Sequence, residues 1–402
     1  MSNPAPTRPL PPRRSAMLAL VKAAGPGVWR KRVAELAGWA AGGQRSGRAL
    51  LQRHAVELTI ERLTRPLDRT PTPGECLLAE IASAAAAAYA AMGEAGQARM
   101  REMLAAGLSG SNTLVPLFHI FRTAMLQRRR GFDVAFAGFE EGAPFDLLLT
   151  RDGTEAEVAC DIISAEEGRD VHRGAWVRLV DQVDADLQTW LAAHPGRYLL
   201  KLTLPQGLRG EPETLAALHG RIRTMLTDER RSDQDAAAVL RLDPLMLAAA
   251  QADELGLLTG LRREFGTEAH LAVTTGGAGV FVMAARAGRG NEVAVAIRRR
   301  LFAIAPMRLT GTRPGILAMF IEDTDRTEWR ELRETLELEG EARQFLAQPA
   351  ARCVVAVTCA SRLELLGAAA PDGAPDGEFR FRNPSHPAAK AAALAPAVLS
   401  SM

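Results

Sequence analysis

"PFDLLLTRDGTEAEVACDIIS", residues 144–164, decides how this chain folds. Asp146 closes a loop and enters an apolar run, and Asp152-Gly153 then offers the two-residue turn that favours a tight hairpin. The second run, 155–164, alternates acidic and apolar positions. Side chains alternate across a strand, so Glu155, Glu157, Ala159 and Asp161 share one face. The stretch predicts two antiparallel strands, 144–150 and 155–164, with carboxylates gathered on one side.

Working outward, "FDVAFAG" (132–138) supplies a strand before the hairpin. Ahead of it, 111–131 reads as an amphipathic helix capped by Ser111 or Asn112, with Arg128 to Arg130 at the negative end of its dipole and Gly131 closing it. A long helix over 169–194 and the apolar strand "RYLLKLTLP" (197–205) follow, the latter expected to be buried on both faces. A helical crossover from the third strand to this fourth one makes the two parallel neighbours with a right-handed connection. The resulting order is helix, three strands, helix, strand.

The remaining chain brackets this core. Residues 1–14 are a Pro/Arg-rich tip expected to be disordered, and 15–110 reads as helices interrupted at Gly42-Gly43 and at the Pro/Thr-rich 64–74, the best linker. Residues 207–370 read as a second α/β unit, and 371–402 as a short strand with a frayed tail. With 402 residues, 47% hydrophobic and 24% charged, the chain has enough apolar mass for two or three cores. Cys76, Cys160, Cys353 and Cys359 form no CxxC pair, which disfavours metal fingers and a disulfide scaffold and suits a cytoplasmic location. No apolar run reaches the length of a membrane span, so no membrane partner is expected.

A net charge of +2 conceals an asymmetry: residues 1–70 carry thirteen Lys/Arg against four Asp/Glu, and the rest is net acidic. Arg30, Lys31, Arg32, Arg45, Arg48 and Arg53 are therefore candidate phosphate contacts, each neutralised phosphate releasing counterions. Arg169 and His172 open the helix at 169–194, whose terminal amides offer a further anion site. "TTGGAGV" (274–280) lacks the GK[ST] ending of a phosphate loop and is expected to be a hairpin turn. "AIRRRLF" (296–302) is a basic helical turn expected to be solvated.

The order of elements over 111–206, with Asp146 on the second strand and an acidic third strand, resembles the PD-(D/E)xK superfamily. The resemblance implies an α/β, restriction-endonuclease-like core: a mixed sheet flanked by helices, here with an all-helical N-terminal region and a C-terminal α/β extension. In that superfamily the aspartate and an acid on the third strand bind Mg²⁺, and a lysine two positions later orients water. Carboxylates hold the hard cation, and the metal makes bound water acidic. On this chain Asp146 fits the first position. In one register Ala159 and Asp161 take the acid and lysine positions; in the other they fall on Glu157 and Ala159. Lysine is absent in both. Asp146, Glu157 and Asp161 remain a conceivable metal set, and Lys201 in the proposed fourth strand is the one candidate for a migrated lysine. The reading is a nucleic-acid-binding protein on a degenerate nuclease-like core, with no cofactor. The alternatives are a divergent Mg²⁺ nuclease using Asp146, Glu157, Asp161 and Lys201, or a protein-interaction module.

Overall fold

The computed structural model describes residues 14–66, 68–245, 260–262, 265–266, 268–368, 371–374 and 376–401. It divides into two units: one made of residues 1–37, 53–165 and 294–402, the other of 38–52 and 166–293. The chain therefore divides after 165 and before 294, rather than at 206. The expected tip, 1–14, lies almost wholly outside the described residues, apart from Arg14 at the start of the first helix.

In the first unit, helices α1 (Arg14–Ala24), α2 (Pro26–Ala40), α3 (Gln44–Arg53), α4 (Ala55–Leu63), α5 (Pro73–Ala91), α6 (Glu94–Gly107) and α7 (Val115–Arg129) precede the sheet; α2 and α3 each end or begin in the other unit. Thr72 caps α5 through a capping box with Glu75, which is why the Pro/Thr-rich break ends there. α7 starts later than its sequence suggested. Neither Ser111 nor Asn112 caps it; Leu114 does, its amide held by the buried Glu57 carboxylate at 2.9 Å.

The first sheet has the order β1 (Asp133–Ala135), β2 (Leu147–Arg151), β3 (Thr154–Ser164), β9 (Gly315–Glu322), β10 (Val354–Ser361), β11 (Phe379–Arg382). A four-residue helix, α8 (Ala137–Glu140), separates β1 from β2. β1, β2 and β3 form the expected antiparallel meander. Its tight turn is Asp152-Gly153, with φ of 48° and 73°, the left-handed pair that a right-twisted two-residue hairpin needs. β3 and β9 pair in parallel, as do β9 and β10. Leu147, Leu149, Ala156, Val158 and Cys160 share a core with Phe118 and Phe121 of α7, so the apolar parity of the hairpin packs under the helices. The acidic parity faces the other way.

The expected fourth strand is the main correction. Residues 197–204 do form a strand, β4, but in the other unit, where the second sheet runs β5 (Ser232–Gln234), β6 (Val239–Pro244), β4 (Arg197–Leu204), β8 (Gly279–Ala287), β7 (His270–Gly276). Helices α9 (Arg173–Ala193) and α10 (Pro212–Thr227) cover one face of it through Leu179, Val183, Leu187 and Ile222. "TTGGAGV" is the expected hairpin turn between β7 and β8. The partner of β3 is instead β9, reached after α11 (Val293–Arg308). Everything from Glu166 to Val293 is thus an insertion between β3 and the helix that leads to its neighbour. Its two ends meet: the Glu292 amide donates to the Gly168 carbonyl at 2.6 Å, and a Cβ on Gly168 would lie 2.4 Å from Val293 Cα. After β9, α12 (Arg326–Glu334) and α13 (Glu337–Leu346) lead to β10. Among the described residues no helix is long and apolar enough to cross a membrane.

Candidate functional site

The acid-bearing face of β3 gathers three of the carboxylates that the sequence singles out. Asp146 sits one residue before β2, at the same parity as Leu148, which pairs with Glu157. Asp146, Glu157 and Asp161 therefore lie on one side of the sheet, as their spacing predicted. Each has a partner from a single segment, the end of α11 and the loop into β9.

Asp161 receives both Nε and Nη2 of Arg300, the latter at 2.9 Å. Two turns further on, Arg308 donates to Asp146 Oδ2 at 2.7 Å and to the Pro144 carbonyl at 2.7 Å. The same Asp146 oxygen accepts from the Cys160 amide at 2.7 Å. Burial nonetheless pushes the Asp146 carboxyl up to about 6, with Arg308 and the Cys160 amide pulling the other way and the nearby Asp161 charge adding to the rise. Glu157 is fully buried. Its carboxylate takes the Thr310 amide at 2.8 Å and the Thr310 hydroxyl, with Arg313 Nη1 3.6 Å away. Arg313 also bonds Glu155 through Nε at 2.6 Å.

This is a closed pattern of charge. A metal would have to displace Arg300, Arg308 and the Thr310–Arg313 loop, and among the described residues no three His, Cys, Asp or Glu side chains converge as a cation cage. A carboxylate gripped by a two-pronged guanidinium has most of its lone pairs occupied. What the arrangement offers outward is donors. Arg313 remains about two-fifths exposed, so it can bond a carboxylate inward and still present N–H groups to solvent.

Lys201 lies in β4 of the second sheet, not in the strand that pairs with β3, and its partners are Asp243 at 3.1 Å and the Phe265 ring, 5.4 Å from its centre. The N-terminal cations divide by what they touch. Arg32 is buried and donates to the Gly110 and Asn112 carbonyls at 2.7 and 2.5 Å, which ties α2 to the loop before α7. Arg45 is held by Asp184 at 2.9 Å and the Val273 carbonyl at 2.6 Å. Arg53 pairs with Asp323 at 2.7 Å. Arg48 bonds only the Gln44 carbonyl of its own helix, Lys31 reaches Glu35 at 3.9 Å, and Arg30 is exposed. Three of the six, Arg32, Arg45 and Arg53, are therefore engaged in holding the fold. Arg169 is buried against Glu166 at 3.0 Å, and the first amide of α9, Arg173 N, is taken by both Glu166 oxygens at 3.1 and 2.9 Å. The anion expected at that helix start is the chain's own glutamate.

Arg300, Arg308, Thr310 and Arg313 were missed as site residues. The signal was present in "AIRRRLF" followed by an arginine-bearing loop and the apolar run "GILAMFI" (315–321): a basic helix leading into seven successive apolar positions is the helix–strand pair that completes a buried sheet. Of these four residues only Arg300 falls in the turn 296–302 expected to be solvated, and it pairs with Asp161 instead. Compared with protein-family models, curated proteins and solved structures, the chain matches none.

Proposed function

We propose that this protein binds nucleic acid on a nuclease-like core that has exchanged its metal site for an arginine-capped acidic face. The order α7, β1–β3, α11, β9 supports the reading: it supplies the helix, three-strand meander, helix and parallel strand expected of such a core, once residues 166–293 are recognised as an insertion. On this reading Asp146, just before β2, takes the first acidic position, and in one of the two registers Glu157 of β3 takes the second; no lysine stands two positions on in either register.

The observation that carries the proposal is the single source of the acids' partners. One segment, 300–313, provides a donor to each of Asp146, Glu157 and Asp161. Hydrolysis by two carboxylates and Mg²⁺ needs those oxygens within about 2 to 2.5 Å of a shared cation. Here they are spent on guanidinium and threonine. The outward donors of Arg313 suit phosphate oxygens, which guanidinium binds in the same two-pronged geometry as carboxylate.

The test has two readouts. Anisotropy with labelled single- and double-stranded oligonucleotides, from 50 to 200 mM salt, is expected to show affinity falling by roughly 0.9 log units per log unit of salt for each phosphate held on a duplex. Incubation with plasmid and single strands plus Mg²⁺ or Mn²⁺ is expected to leave them intact. Absence of binding at 50 mM salt, or cutting that Asp146→Ala abolishes, overturns the proposal.

A further inference from the structure

A cleft of about 830 Å³ opens beside the starts of β9 and β10, within the first unit. Its wall is the loop Thr310–Pro314 on one side and Pro349–Cys353 on the other, with His386 completing it. Two arginines, Arg313 and Arg352, line it, and no carboxylate does. The parallel register explains why the cations meet there. Val354 pairs with Gly315, and the Gly315 amide donates to the Cys353 carbonyl at 2.7 Å, so Arg352 and Arg313 each stand two residues ahead of paired strand positions, at the same rim.

The two arginines differ in what holds them. Arg313 is tied to Glu155 and Glu157 behind the wall. The Arg352 amide donates to the Pro349 carbonyl at 3.2 Å, but its exposed side chain makes no ion pair or hydrogen bond with any described residue, whereas Arg300, Arg308 and Arg313 are engaged with acids. The loop beside it is fixed from within: Thr310 gives its hydroxyl proton to Glu157 and accepts that of Thr312 at 2.7 Å, across a turn that Gly311 makes at φ 75°. His386 accepts the Ala388 amide on Nδ1 at 3.1 Å, which leaves Nε2 as its N–H donor.

We propose that this cleft is a phosphate-binding site, with Arg352 as its principal cation and Arg313 and His386 as supporting donors. The apolar part of the wall is Leu309 and prolines, without Phe, Tyr or Trp, so it offers no surface on which a base would stack. Recognition is of the phosphate rather than of what it is attached to. The volume falls within the roughly 300–1,000 Å³ of small-ligand clefts, which admits a phosphorylated metabolite or the end of a strand and excludes a duplex. The proposal stands independently of the nucleic-acid reading, because its ligand can be free phosphate.

Calorimetric titration of the full chain with inorganic phosphate, at ionic strength held constant with chloride, tests it. Saturable binding is expected, weakened about tenfold or more in Arg352→Ser, since a charge-assisted bond is removed. Arg343→Ser is the control: Arg343 is exposed and paired with Glu339, and it is expected to bind phosphate like the parent. Competition then identifies the source. Displacement by a 5′-phosphorylated oligonucleotide but not by its 5′-hydroxyl counterpart supports the site with a strand end as ligand. Displacement by mononucleotides alone supports it with a small molecule. No saturable binding at millimolar phosphate, or equal binding by the parent and Arg352→Ser, overturns it.

Discussion

Arg308→Met isolates the electrostatics of the acidic face. In the parent, Arg308 gives Asp146 Oδ2 a charge-assisted bond at 2.7 Å, and still the carboxyl titrates near 6 rather than 3.8, because burial disfavours its charged form. For an acid raised in this way the fold binds the proton more tightly than the unfolded chain does. Stability therefore falls as pH rises from about 4 to about 6, and the full penalty, roughly 3 kcal/mol for two units, is present above that window. Removing Arg308 takes away the main opposing term and moves the titration higher still. The variant is expected to lose about 3 kcal/mol at pH 8, at the low end for a broken buried pair because Arg308 is itself a quarter exposed. At pH 5.5, where the carboxyl is protonated, the loss is expected to be about 1 kcal/mol. Urea unfolding at the two pH values measures this, and hydrogen exchange over 144–164 localises it to the hairpin. Adding Asp146→Asn should recover most of the loss at pH 8. An equal loss at both pH values, or additive losses in the double variant, would refute the reasoning.

Three further outcomes follow from the same structure. His119 is buried beneath the sheet, with Nε2 2.9 Å from the Ala318 carbonyl, and burial pushes it down to about 4. Its contribution is whole above pH 6.5 and lost as pH falls towards 4, by about 3 kcal/mol, so thermal melts of His119→Gln should show a shallower acid decline than the parent. Glu364 takes the Trp329 indole N–H at 3.0 Å, the Ser361 amide at 2.7 Å and the Ala374 amide at 2.9 Å, all buried. Glu364→Ala leaves these donors unmet and is expected to cost about 3–5 kcal/mol in denaturant unfolding. Lys201→Met removes a half-exposed pair with Asp243 and is expected to change stability by less than about 1 kcal/mol, with oligonucleotide anisotropy unaltered.

The hairpin was legible because its information is local. Turn geometry chose Asp152-Gly153, and strand parity placed Glu157 and Asp161 together. Which strand lies beside β3 was not legible in the same way, since pairing over long separation leaves no local mark. The choice of 197–205 took the nearest apolar strand in sequence. Composition still held a clue: β4 alternates, with Lys201 and Thr203 only half-buried, whereas β9 is buried at every position but its last, as the centre of a parallel sheet requires. The basic N-terminus misled for a different reason. Counting charge does not distinguish a solvated guanidinium from one such as Arg32, whose donors knit α2 to a buried loop.

The insertion bears on how the molecule is made. Ser164 and Gly315, at the end of β3 and the start of its neighbour, are separated by roughly 150 residues, so at ribosomal speeds of about 5–20 residues per second one edge of β3 waits about 8 to 30 seconds for β9. An apolar strand left open for that time invites mispairing with other nascent chains. Glu155, Glu157 and Asp161, whose charges repel a second copy of the same edge, guard it in the interval. The stitched ends at Gly168 and Glu292 then bring the waiting edge and its late partner within reach once the intervening body has closed.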